Sequence, residues 1–348
     1  MADTLADTLA DPTQPDPAPP DPARPDPARP DPTPPGPTPL NELVAAVLAN
    51  PGLRAMAAIA LVGDVLGGTD WVAGPGDDGA VLAGGTVACG EALFPPFVRA
   101  DPRGAGFAAV LANVNDLAAM GAEPLGIVDT VVGTEAVARA TLAGMREASE
   151  LFDVPIVGGH LTIHDGEPAI SAFGIGSTPS ALSVTNAVAG QSLVVAAALD
   201  GELRPDFPFF PAFRARGDRC AGDVRLLPAL ARAGTVVAAK DISMAGLVGS
   251  LAMLLEPTGL GVTVDLSAVP CPTGVPLDRW LNCFPSYGFL LCVPSGRETE
   301  CLAAFAARDL AAAVVGTLDD SGELALRRGT ERAVVLRLDE FTVTGLPH

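Results

Sequence analysis

The stretch GAGFAAVLANVNDLAAMGAEPLGIVDTVV, residues 104–132, decides the fold class. Its first part is apolar throughout and predicts a long buried helix over 104–120. After the break at Gly121 to Pro124, residues 125–132 open with an unbroken apolar run, the pattern of a buried strand. A buried helix leading into a buried strand is the building unit of an α/β protein. Two polar residues interrupt the helix. Asn113 and Asp116 stand three apart and share a face. Neither favours a helix interior, and a buried carboxylate is costly unless paired or metal-bound. They read either as part of a site or as core polar groups with internal partners.

The same alternation continues outward. A helix is expected over 134–152, with strands over 155–157 and 169–176. On the other side come helices over 42–49 and 53–66, a glycine-punctuated loop, and short strands at 80–82 and 86–89. After Pro179 the pattern restarts, with strands at 192–198, 236–239, 261–266, 288–293 and 312–318. Helices at 224–233, 244–255 and 299–308 lie between them, and a β-rich tail follows. Two successive α/β halves, 40–180 and 181–348, account for the chain. Residues 1–39 are a separate object. DPxxP repeats five times from Asp11 to Pro35, and 14 of the 34 prolines fall here. With so little to bury, this tail is expected to be disordered with polyproline II character.

Composition closes several doors. The chain has 348 residues and a formal charge of −20. A pI near 4.3 argues against nucleic acid or an anionic membrane as partner, because both need a positive footprint. No uninterrupted apolar stretch is long enough to span a bilayer, and MADTLADTLADP lacks the basic and apolar regions of a signal peptide. The six cysteines form no CxxC, and reduced thiols in a cytoplasmic protein are expected. There are 20 Arg and a single Lys, Lys240. In so arginine-biased a chain, a surviving lysine reads either as a place where a compact ammonium is needed or as a chance survivor.

Three further segments carry candidate chemistry. GDDGAV (76–81) places Asp77 and Asp78 after a glycine turn and before a strand. That suits either a hard cation carrying phosphates or an ordinary Asp-rich turn. VGGHLT (157–162) ends a strand in Gly158-Gly159, whose amides can approach an anion. His160 and His164 are four apart, but a zinc pair at that spacing needs a helix, and a strand or loop is expected here. KDISMAGL (240–247) puts Lys240 and Asp241 at a strand end that runs into a helix. Asp241 and Ser243 read as helix caps or as site residues.

These four segments, in this order, resemble the superfamily of aminoimidazole ribonucleotide (AIR) synthetase, thiamine-monophosphate kinase, selenophosphate synthetase and the hydrogenase maturation factor HypE. The resemblance covers about residues 40–340. GDDGAV looks like the kinase-type GDDAAV. NVNDLAAMGAEPL (113–125) looks like N-x-SD-x-AAMGA-x-P. VGGHLT sits where many relatives have GGDT, and KDISMAGL looks like D-x-[ST]-x-x-GL. The segments at 240–262 and 279–291 look most like an AIR-synthase-related branch.

The resemblance implies a two-domain PurM-like α/β (α+β) fold. First domains would pair across a homodimer into a β-barrel, followed by a C-terminal α/β domain. It implies ATP and Mg²⁺ as cofactors and a small-molecule substrate. Carried over by motif, Asp77, Asp78, Asp116 and Asp241 become candidate metal residues. Glu91 joins them, standing where the kinase has an Asp-containing TD-x-x-x-E pattern. Gly158, Gly159, Thr162, Asn113 and Asp116 would bind the nucleotide. Lys240 would stabilise phosphate charge, and His160 would serve as acid/base or substrate contact. His160 replaces the Asp of GGDT, and Met244 stands in a segment one residue longer than D-x-SDG. Those departures set an inactive nucleotide-binding scaffold beside the ATP-dependent enzyme as a second reading. Docking of a partner through the tail is a third. The Phe-rich segment 205–213 is expected to pack between domains.

Overall fold

The computed structural model describes residues 38–66 and 76–346. The DPxxP repeats and the glycine turns at 67–68 and 74–75 lie outside the described residues. The first part of the chain runs α1 (Leu40–Leu48), α2 (Pro51–Ala55), α3 (Ala60–Leu66), β1 (Ala80–Val81), β2 (Thr86–Ala92), α4 (Pro95–Ala100), α5 (Pro102–Ala119), β3 (Glu123–Gly133), α6 (Glu135–Phe152), β4 (Ile156–Ile163) and β5 (Ala169–Ser177). The second part begins β6 (Ser192–Ala197), β7 (Phe209–Phe210), α7 (Phe213–Arg216), α8 (Cys220–Asp223), α9 (Leu226–Arg232), β8 (Ala238–Asp241) and α10 (Gly246–Leu255). It ends β9 (Gly261–Asp265), α11 (Leu277–Leu281), β10 (Phe284–Pro285), β11 (Gly288–Val293), α12 (Glu298–Ala306), β12 (Ala311–Asp319), β13 (Glu323–Arg328) and β14 (Glu331–Arg337).

Two sheets organise these elements, one on each side of residue 180. The first has the order β1-β2-β5-β3-β4. Its pairs are antiparallel except β3–β4, which α6 joins as a parallel crossover. The second has the order β14-β13-β9-β12-β6-β11-β8, so β8 is an edge strand. A two-residue parallel pair, β7 with β10, holds the Phe-rich segment. Phe209 stacks on Phe284 at 4.6 Å between ring centroids, and Phe213 lies 4.5 Å from Phe107 of α5. The segment therefore packs the two halves together.

One face of the first sheet, with Ile127, Val131, Ile170 and Ala172, is buried under α5 and α6. These helices approach closely because both carry glycine at the crossing. A Cβ on Gly106 would stand 2.1 Å from the Thr141 carbonyl oxygen, and one on Gly144 would stand 1.9 Å from that of Arg103. Asp101 starts α5 by accepting from the Gly104 amide at 2.8 Å, with Pro102 at the first helical position. The opposite face carries Phe173, which is 44% exposed. The sheet is open among the described residues. The barrel that the resemblance implies is not formed within the chain.

Several expectations are revised. The helices at 40–66, counted above with the first half, bury Leu40, Leu43, Val47 and Leu53 in the core of the second sheet. The helix expected over 53–66 is interrupted by a 3-10 turn, Met56–Ile59. The strand expected to stop at the paired glycines instead runs to Ile163. Its parallel pairing with β3 continues through Gly158 and Gly159, opposite Val128 and Asp129. All six cysteines are free thiols. Among the described residues no single helix is long and apolar enough to cross a membrane.

Candidate functional site

The site grows from the free edge of β8. An edge strand leaves alternate backbone amides unpaired, and they must find other acceptors. The Ala239 amide donates to the Leu182 carbonyl at 3.0 Å, and the Asp241 amide donates to Asp78 Oδ2 at 2.9 Å. Lys240 Nζ pairs with the other oxygen of Asp78. The GDDG loop is thus fastened along an edge of the second sheet. Asp77 secures the same loop from its other side. It accepts from the Val184 amide and the Ser183 hydroxyl, each at 2.7 Å.

Onto this edge α5 brings Asp116. Asp78, Asp116 and Asp241 each present a carboxylate oxygen, and these oxygens lie within 4.8 Å of one another. Three separate parts of the chain converge here. Burial and then the charges of Asp241, Asp78 and Glu91 push the Asp116 carboxyl well above the usual range, with Lys240 opposing. Burial and Asp78 likewise push Asp241 up. Burial raises Glu91 on β2, and it raises Asp77 to about 6 in spite of its two hydrogen bonds. Burial also pulls the Lys240 ammonium down. Asp78 and Asp241 more than offset this, leaving it above its ordinary value. Carboxylates pressed together in this way are short of counter-charge. An oxygen-only donor set fits a hard divalent cation such as Mg²⁺, and a zinc centre would call for His or Cys.

The other candidate residues are placed differently. Asn113 was expected to face a nucleotide, but it is fully buried and its amide is consumed internally. Its Nδ2 donates to the Ala109 and Ala172 carbonyls, and its Oδ1 accepts from the Gly174 amide and the Cys89 thiol. It clamps β5 to α5, the satisfied-core alternative of its sequence reading. Asp77 was grouped with the metal residues, but its oxygens brace the 183–184 turn and it does not join the three converging carboxylates. Gly158, Gly159, His160 and Thr162 lie exposed on β4, the far edge of the first sheet. Three strand spacings separate β4 from β2, about 14 Å at ~4.8 Å each. Across the sheet they are thus remote from Glu91 on β2. His160 sits in a strand, and among the described residues no His or Cys joins a metal-ligating cluster.

Sequence reasoning overlooked Asp129. It lies in one row across the sheet with Glu91, Ala172 and Gly159. Burial raises its carboxyl, and a Cβ at Gly159 would stand 2.7 Å from it. A lone carboxylate in the middle of an apolar strand was the available signal.

Fold and site together define a two-domain α/β protein with an acidic, oxygen-lined centre where its halves meet. Family models for the N-terminal and C-terminal domains of AIR synthase related proteins match residues 76–178 and 216–329. A Synechocystis sp. protein of uncharacterized function is 35% identical over 281 residues, covering 80% of this chain and 86% of its own. The chain belongs to the AIR synthase-related superfamily. Among solved structures, a chain of the HypE-HypF complex superposes with a TM-score of 0.65 at 20% identity, covering 81% of this chain and 99% of that one. AaThiL complexed with AMPPCP and TMP gives a TM-score of 0.60 at 18% identity, covering 78% and 94%.

Proposed function

We propose that the protein is an ATP- and Mg²⁺-dependent enzyme that uses the γ-phosphoryl group of ATP on a small polar substrate. The observation that carries this reading is the convergence of Asp78, Asp116 and Asp241 from three separate segments at one poorly neutralised point. The AMPPCP in AaThiL, a protein of the same fold, supports the choice of nucleotide. In this reading the three carboxylates hold Mg²⁺, with Glu91 close enough to add charge. The bound ion would neutralise charge on the phosphates. Asp77 and Asn113 act indirectly, one by bracing the loop that carries Asp78 and the other by fixing α5 against β5. Lys240 holds Asp78 in place and leaves N–H donors to spend on a phosphate oxygen.

Gly158, Gly159, Thr162 and His160 enter only if a second copy covers the open face of the first sheet. An exposed phenylalanine at Phe173 beside Val128 and Thr130 gives that face an apolar centre to bury. A homodimer is therefore part of the proposal. The Lys240–Asp78 pair favours one second reading, a nucleotide-binding scaffold without turnover, because it already spends part of the acidic charge.

Calorimetric titration with AMPPCP, with and without Mg²⁺, tests the first requirement. Micromolar binding that depends on Mg²⁺ is expected, and no binding in either condition would reject a nucleotide site. A screen of small polar substrates for ADP release then separates the enzyme from the scaffold.

A further inference from the structure

Lys240 is the sole lysine among 348 residues, and it pairs with one of the three converging carboxylates and precedes another in sequence. Its side chain is almost wholly buried and pairs with Asp78. Asp116, Asp241 and Asp77 stand close enough to that pair for their charges to be felt, and Glu91 acts in turn on Asp116 and Asp241. Elsewhere the chain neutralises a buried carboxylate with guanidinium groups, as at Asp223 between Arg216 and Arg308. A guanidinium is broad, planar and rich in fixed donors, whereas an ammonium is a compact point charge of the kind a small cation provides. Lys240 takes one oxygen of Asp78 and the Asp241 amide donates to the other, yet the carboxylate still presents an oxygen within 4.8 Å of those of Asp116 and Asp241, with lone pairs to spare.

We propose that the Lys240 ammonium is a tethered cation that stands in for one metal ion, so that the native site takes one ion fewer than its carboxylates would otherwise hold. The proposal rests on the reading that this cluster is a divalent-cation site. Its physical basis is charge balance. With Lys240 in place Asp78 is neutralised, and Asp116, Asp241 and Glu91 remain for an incoming divalent ion. Without it three carboxylates crowd one point with Glu91 nearby, and the excess charge draws in a further ion. Tethering also keeps Asp78 docked on β8 before any ion arrives, so the donor set is assembled in advance.

The test counts Mn²⁺ bound per chain by the electron paramagnetic resonance of free Mn²⁺. It uses the full-length protein without nucleotide and compares wild type, Lys240→Met and Lys240→Gln. Gln keeps a hydrogen-bond donor for Asp78 and removes the charge, so it answers the question should Met not fold. Each variant is expected to bind one more Mn²⁺ than wild type. Each should also show a larger Mn²⁺-induced rise in melting temperature, starting from a lower value in chelator. Equal counts and equal shifts would overturn the proposal. One ion in wild type and one in the variants would reject the tethered cation and keep the divalent-cation reading. None in wild type and one in the variants would do the reverse. None in any of them would reject both.

Discussion

Two buried charge clusters in this molecule obey opposite rules. Around Asp223 every charge is answered. Arg216 pairs with both Asp223 oxygens and reaches Asp200 at 2.9 Å, and Arg308 Nε donates to Asp223 Oδ1 at 2.7 Å. The remaining Arg216 donors go to the carbonyls of Arg308 and Asp309, and the Tyr287 hydroxyl donates to the Asp223 carbonyl. Around Asp116 carboxylates outnumber cations. Burial raises Asp116, Asp241 and Glu91, and repulsion from neighbouring carboxylates adds to it at Asp116 and Asp241. A satisfied network fixes structure, whereas an unsatisfied one holds charge in readiness for something that binds.

The largest effect that would break this contrast is on stability. Arg216→Ala leaves Asp223 buried with only Arg308 beside it. Loss of one partner of a buried pair costs about 3–5 kcal/mol, readable by chemical denaturation. A loss below about 1 kcal/mol would mean that the first cluster is not the structural one. Asp116→Asn should act in the opposite sense. It removes a repelled charge, so the chelator-treated protein should be as stable as wild type or more so. Mg²⁺-dependent AMPPCP binding should weaken at least about tenfold, the scale of ~1.4 kcal/mol. Destabilisation with binding intact would place Asp116 among the structural carboxylates.

A smaller effect sharpens the role of the loop. Ser183→Ala removes one hydrogen bond to Asp77 and should cost about 1 kcal/mol, with nucleotide affinity changing less than in Asp116→Asn. A loss of binding as large as that of Asp116→Asn would put Asp77 among the ligands. A further effect lies in pH. Asp77 is raised from 3.8 to about 6, so the folded state holds its proton more tightly than the unfolded chain. Its contribution therefore favours the fold at low pH and is lost as pH rises from about 4 to about 6. Asp77→Asn should flatten that window in metal-free melting curves, and an unchanged slope would assign the dependence to other groups.

Much of the fold was legible in sequence because burial leaves a periodic trace. The 104–120 helix and the apolar start of β3 were visible in that way. The glycines at 158 and 159 misled, because a strand that keeps its pairing partner tolerates glycine and nothing local announces the partner. The helices at 40–66 were likewise assigned by their place in the chain, while the apolar residues of α1 and α2 found the second sheet. At the site, motif spacing selected Asp77 and Asp78 as equals. Only the turn at 183–184 and the edge of β8 gave them different work. Asn113 and Asp116 looked alike in one helix, yet one meets β5 and the other meets Asp78 and Asp241.

The sequence by itself determined most of the longer helices and strands, where the chain restarts near residue 180, and which unusual polar residues needed an explanation. The tertiary structure decided which of those residues meet. Lys240 and Asp78 are 162 positions apart, and their pairing leaves no mark in either local pattern. Periodicity records only whether a side chain faces core or water. Charge and hydrogen bonding act through space, so the division into satisfied and unsatisfied clusters exists only once the chain has folded.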